Sequence, residues 1–227
     1  MGIISIGTSG NLYWLGRYME RIGTTIKCFS FWYDKMIESP EAYKEFCQEL
    51  NIPDIYSDAS DFVKRYLFDK TNSDSLRSNL GRAYDNAIVL RDEISSTTLS
   101  YVQMALDLLR HSHETDAHIF MVQKITDYIY AFWGSVEDYV NDSVSRNLLR
   151  TGKYLERVDM YIRLCFDFDE TKVQFDKFVY RLGKINVPYN TESLAKLNWF
   201  MSSRSVLMEN RQEALELLEG IFGEYLL

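Results

Sequence analysis

Between residues 12 and 33 the apolar side chains Leu12, Leu15, Met19, Ile22, Ile26, Phe29 and Tyr33 recur three and four positions apart. That spacing lines them along one face of a long α-helix. An isolated helix of this kind is marginal in water, so it needs other helices to cover its stripe. A second stripe in the same phase, Leu148, Leu155, Val158, Ile162 and Cys165, runs through residues 143–167 with Thr151 as its polar interruption. Pro40, Pro53 and Pro188 stand where the periodicity breaks, and β-type alternation between turn pairs is absent. The pattern predicts helices over 10–37, 40–50, 57–68, 73–94, 96–110, 114–141, 143–167, 169–184, 191–206 and 207–225. Short polar connections make most neighbours antiparallel. Ser9 is placed to cap the first helix. With no linker or low-complexity segment, the expectation is an all-α, single-domain antiparallel helical bundle over residues 1–227.

The two stripes share more than their apolar positions. Aligning LYWLGRYMERIGTTIKC (12–28) with LLRTGKYLERVDMYIRL (148–164) pairs Gly16 with Gly152, Tyr18 with Tyr154, Glu20 with Glu156 and Arg21 with Arg157. Arg17 and Lys27 meet the basic residues Lys153 and Arg163. Any two core helices repeat apolar positions, whereas a repeated glycine and charged pair calls for a cause. Glycine inside a helix costs about 1 kcal/mol relative to alanine, so the pair predicts close approach of another helix or a ligand. Glu20 has Arg17 and Lys27 available to flank it, and Glu156 has Lys153 and Arg163, which favours ionised carboxylates. Three readings of the duplicated motif stay open: solvated helix-surface ion pairs, a buried interhelical lock, and a polar cleft lined by both motif helices. In the cleft reading Arg21 and Arg157 grip a carboxylate or phosphate bidentately, with Glu20 and Glu156 orienting them, binding a substrate amine or serving as general base. Arg17, Tyr18, Lys153 and Tyr154 are the accompanying substrate-binding candidates. The motif also predicts that helices 10–37 and 143–167 are neighbours.

Composition narrows the function classes. A net charge of −8 weighs against nucleic acid as a partner. No uncharged apolar run approaches the roughly 20 residues that a bilayer crossing needs, so no membrane role is expected. The start MGIISIGTSGNLYWLGRYME has neither a basic n-region nor a continuous apolar h-region and does not read as a signal peptide. Three cysteines, Cys28, Cys47 and Cys165, lie in no CxxC or Cys/His spacing and fit a reducing cytoplasm better than disulfides or zinc.

The remaining constellations favour plain readings. In HSHETDAH, His111, Glu114 and His118 would share a face of a continuous helix, yet Ser112 to Thr115 reads as a helix end and a new start, so no metal site is expected. The Glu-x-x-His pattern of di-iron bundles is missing, because Ala117, Gly23 and Asp159 follow Glu114, Glu20 and Glu156 at the third position. GTSGN (7–11) has the look of a capped helix start and lacks phosphate-loop spacing. Aromatic residues make up 15% of the chain, with Trp14, Trp32, Trp133 and Trp199 spread across its helices, and most of them are expected in the core. Neither a cofactor nor a nucleophile-base pair can be named from the residues.

LYWLGRYMER and LLRTGKYLER resemble the two signature helices of the bacterial alpha-E family, an all-helical domain named for its Glu-Arg motif. RAYDNAIVLRDEISS (82–96) is similar to that family's third segment through Asn86, Ala87, Arg91, Asp92 and Ser95. The resemblance covers about residues 9–167 and fades over 168–227, as in a divergent or shortened member. Where the family tends to carry a glutamate after that serine, this chain reads Ser96-Thr97-Thr98. Membership implies Asn86 and Arg91 as further binding candidates. It also implies a setting beside circularly permuted ATP-grasp ligases and transglutaminase-like peptidases. The expected function is therefore an accessory or substrate-handling component of an ATP-grasp-dependent peptide- or amide-forming system, acting on a peptide or amino-acid substrate. The alternatives are a stand-alone enzyme using a motif glutamate as base and a structural bundle without chemistry.

Overall fold

The computed structural model describes residues 5–111 and 118–226. These form twelve α-helices: α1 Ile6–Glu38, α2 Ala42–Leu50, α3 Ala59–Phe68, α4 Leu76–Val89, α5 Arg91–Ile94, α6 Ser96–His111, α7 His118–Tyr139, α8 Ser143–Arg163, α9 Phe168–Leu182, α10 Thr191–Phe200, α11 Arg204–Glu209 and α12 Arg211–Glu219. A 3-10 turn, Gly223–Leu226, follows, and no strand occurs among the described residues. The fold is all-α. Of the spacing weighed for a metal, His111 closes α6 and His118 opens α7, while Glu114 lies outside the described residues.

Several boundaries differ from the sequence expectation for identifiable reasons. Helix α1 starts at Ile6, and its first turn is capped by Ser5, whose Oγ accepts the Thr8 amide at 3.1 Å. Ser9 is therefore inside the helix and not its cap. The expected 73–94 helix breaks at Leu90. The next one begins after Ser95, which takes φ 72° and ψ 154°, a conformation that side chains other than glycine rarely adopt. Helix α8 stops at Arg163, short of Cys165, which takes a left-handed φ of 50° and is exposed. Cys165 thus belongs to a turn and not to the apolar stripe. The expected 191–206 helix stops at Phe200 and resumes as α11. Of the tryptophans Trp32 is buried, Trp14 and Trp133 are half-buried, and Trp199 is 55% exposed.

The contacts divide the chain into two compact units. One is Tyr18–Asp142. There α6 packs on α4 and α7, and α3 on α2 and α4. Its core is aromatic: the Phe62 ring stacks on Tyr66 at 5.1 Å and on Tyr43 at 5.5 Å, with Phe46 edge-on at 5.5 Å.

The other unit joins Met1–Arg17 with Ser143–Leu227. Helix α8 packs on α9 and α12, and α10 on α12. The α8–α9 corner is fixed at both sides. Arg211 donates from Nε to the Ile162 carbonyl at 3.1 Å and from Nη2 to the Arg163 carbonyl, satisfying the orphan acceptors at the end of α8. Asp167 caps α9 by accepting the amides of Asp169 at 2.9 Å and Glu170 at 3.1 Å. Asp167→Ala should therefore lower the unfolding free energy by about 1 kcal/mol in a urea titration. An unchanged midpoint would show that the cap contributes nothing to stability.

Candidate functional site

The two glycines of the repeated motif meet the opposite helix backbone reciprocally. A Cβ on Gly16 would lie 2.1 Å from the Leu149 carbonyl oxygen and 2.9 Å from its carbon. A Cβ on Gly152 would lie 2.1 Å from the Tyr13 carbonyl oxygen, 3.0 Å from its carbon and 3.1 Å from the Arg17 amide nitrogen. Each glycine thus rests on the carbonyl three residues before its counterpart, as two related helices crossing at equivalent points must. The beginning of α1 and the middle of α8 are neighbours, as the motif predicted. Only glycine lets the backbones come this close, which explains why both helices carry its cost in helix propensity.

One turn beyond the crossing the charges meet. Arg17 Nε donates to Glu156 Oε2 at 2.7 Å, with both side chains buried. Arg17 was expected to flank Glu20 along its own helix; the pair it makes is across the crossing. Burial works against the guanidinium charge, but Glu156, Tyr13 and Asp159 outweigh it and hold the Arg17 pKa above its ordinary value. The guanidinium also lies 4.7 Å from the Trp14 ring centroid and 5.8 Å from that of Tyr13. Tyr13 is buried, its phenol pKa is raised chiefly by desolvation, and it sits edge-on to Phe222 at 5.1 Å. Trp14 Nε1 donates to the Leu226 carbonyl at 2.6 Å. Aromatic contacts and one hydrogen bond thus tie the crossing to the 3-10 turn.

The rest of the α8 motif divides between its two sides. On the buried side Asp159, 2% exposed, is gripped by both Arg163 Nε and Nη2, at 2.5 and 3.3 Å. Arg163 was expected beside Glu156; Asp159 takes it instead. Tyr154 and Arg157 face α9, and both are half-buried, as is Lys153, whose Nζ lies 6.0 Å from the Tyr154 ring. Arg157 Nη1 donates to Gln174 Oε1 at 3.3 Å.

In the unit Tyr18–Asp142, Glu20 is buried and accepts a hydrogen bond from Thr24 Oγ1 at 3.2 Å. Tyr18 lies under the Arg82 guanidinium at 5.4 Å, and Arg21 is half-buried near the Tyr66 phenol. Lys27, expected beside Glu20, lies 5.7 Å from the Tyr130 ring. Asn86 is half-buried on α4, while Arg91 and Asp92 are 70% and 93% exposed on α5. Sequence reasoning missed Tyr13, Trp14, Asp159 and Arg211. Asp159 and Arg163 do carry a signal, their i,i+4 spacing; Arg211 has none, since its partner carbonyls are backbone.

Among the described residues no group of three or more His, Cys, Asp or Glu side chains is placed to hold a metal ion. No helix among them is long and apolar enough to cross a membrane. The chain belongs to the Alpha-E family, a predicted alpha-helical domain with a conserved ER motif, which matches residues 8–205. The match runs past residue 167 and takes in α9 and α10. No curated protein and no solved structure matches the chain.

The crossing makes opposite demands on glycines that a helix scale would treat alike. Gly16→Ala and Gly152→Ala should each lower the unfolding free energy by about 3 kcal/mol, because backbone must move to admit a methyl group. Gly134 on α7 has nothing within 4 Å of its would-be Cβ, so Gly134→Ala should stabilise by up to about 1 kcal/mol. Thermal unfolding of the three variants checks this, and a shared upward shift would contradict the crossing.

Proposed function

We propose that this Alpha-E protein is an accessory or substrate-handling component of an ATP-grasp-dependent peptide- or amide-forming system in the cytoplasm, and that its motif carboxylates hold structure while the ligase performs the chemistry. The observation that carries the non-catalytic part is the burial of Glu156 against Arg17 at 2.7 Å. A general base must reach substrate and accept a proton near neutral pH. Glu156 is 1% exposed, and its Oε2 is taken up by Arg17 Nε at 2.7 Å, which leaves it no open face toward a substrate. Those facts weigh against the stand-alone enzyme reading for this residue.

Substrate handling falls to the accessible cations. Lys153 and Arg157, with Tyr154 between them, suit the carboxylate or phosphate of a peptide or amino-acid substrate. Tyr18, Arg21, Asn86 and Arg91 are assigned, on the other unit, to contacts with substrate or partner. The link to ATP-grasp ligases and transglutaminase-like peptidases is implied by the setting in which such proteins are found, which is association and not chemistry.

Co-expression with an ATP-grasp ligase encoded beside this gene should yield a complex through size-exclusion chromatography. ATP-dependent amide formation by that ligase should rise when this protein is added, and Glu156→Gln should leave the rise intact wherever the variant stays folded. A ligase that neither binds the protein nor responds to it removes the proposal. Loss of the rise in a folded Glu156→Gln protein would return that carboxylate to the chemistry.

A further inference from the structure

Along α4 a polar stripe, Asn79, Arg82 and Asn86, runs beside the buried apolar residues Leu80, Ala83 and Ala87. Its middle member is held by neutral contacts alone. Asn79 is buried, and its Nδ2 donates to the Asp74 and Ser75 carbonyls at 3.2 and 2.9 Å, which turns its Oδ1 toward Arg82. Arg82 Nη2 donates to that oxygen at 3.0 Å and to the Ser73 carbonyl, so both of its hydrogens are used. The guanidinium also lies 5.4 Å from the Tyr18 ring centroid. Among the described residues no carboxylate pairs with Arg82, and its Nε is buried without an acceptor. The Asn86 side-chain amide likewise makes no hydrogen bond among them. Arg82 and Asn86 are both half-buried, and at four positions apart they are neighbours on the helix surface.

A half-buried guanidinium that is fixed in orientation but not neutralised is costly for the protein alone, and an orphaned buried donor adds to the cost. An anion at its remaining nitrogen, Nη1, would relieve it. We propose that Arg82 and Asn86 bind the carboxylate of a peptide or amino-acid ligand beside Tyr18, one oxygen accepting from Arg82 Nη1 and the other from Asn86 Nδ2. The two oxygens of a carboxylate suit two donors one helical turn apart, and the anion neutralises the cation to which the buried Nε belongs. Charge sets the ligand class. One arginine and one neutral amide balance a single negative charge, and the exposed Asp85 next to Asn86 disfavours a second one, as a phosphate dianion would carry. This rests on the reading of Tyr18 and Asn86 as substrate contacts and adds the residue and the ligand group that anchor them.

N-acetylglycine titrated into the full chain, with the arginine Nε–H resonances followed by NMR, should shift the Arg82 signal saturably in the millimolar range, and the neutral N-acetylglycinamide should not. Arg82→Lys identifies that signal. Asn86→Ala should weaken binding about threefold to tenfold, the loss of one hydrogen bond. Asn86→Asp brings a carboxylate of the protein itself within reach of Arg82, so it should abolish binding while the thermal midpoint holds or rises. Arg77, on the same helix, donates from Nη1 to the Phe68 carbonyl at 3.3 Å, and Arg77→Gln should leave the affinity unchanged. Absence of a saturable shift, equal response to the acid and the amide, equal weakening by Arg77→Gln and Asn86→Ala, or an Asn86→Asp protein that still binds overturns the site. Inorganic phosphate binding more tightly than N-acetylglycine overturns its assignment to a carboxylate. Neither result bears on complex formation with a ligase, so the two proposals fail separately.

Discussion

Backbone contact at two glycines governs the unit built from both ends of the chain. Where Gly16 and Gly152 each rest on the opposite helix's carbonyl, α1 and α8 come too close for any side chain between them. Close approach fixes which residues face each other one turn later, and there Arg17 finds Glu156. Removing water from these two charges costs several kcal/mol each, repaid only when the partner is in place and hydrogen-bonded. The glycines thus make the ion pair possible, and the ion pair makes any other register costly. Tyr13, Trp14, Phe222 and the Leu226 carbonyl extend the same node to the 3-10 turn.

Much of this was legible in the sequence, because helices announce themselves by spacing. The stripe Leu12, Leu15, Met19, Ile22, Ile26 is buried throughout, as are Leu148, Leu155, Val158 and Ile162. The duplicated glycine pointed to close approach, and helix propensity gave the reason. What spacing could not supply was the choice of partner. Local rules offered Arg17 to Glu20 and Arg163 to Glu156, whereas the fold gives Arg17 to Glu156 and Arg163 to Asp159. Local pairs compete on nearly equal terms in water, and tertiary burial decides among them. Cys165 illustrates another limit: its position continues the apolar phase, but α8 has ended by Arg163 and the chain turns through a left-handed residue.

The Glu-Arg motif that defines the family also takes on a different weight. Its glutamate on α8 is enclosed, while basic and aromatic side chains of the same helix face α9 near solvent. One helix can do both because positions 152 and 156 occupy one face and 150, 153, 154 and 157 another. An enclosed carboxylate that locks register is compatible with a binding role for the outward cations, which it holds in fixed positions. Such division of labour fits a component that presents a ligand more readily than one that transforms it.

The claim on which this account turns is that Glu156 and Arg17 act as one unit, and a double-mutant cycle measures that directly. Unfolding free energies of wild type, Arg17→Met, Glu156→Leu and the double variant yield the coupling energy between the two side chains. Each single change should destabilise by about 3–5 kcal/mol because it strands a buried charge. The double change should cost clearly less than their sum, giving a coupling of about 2 kcal/mol or more. Additive losses, with a coupling below about 0.5 kcal/mol, would mean that the two residues merely sit together, and that something other than their charge pair holds the crossing in register.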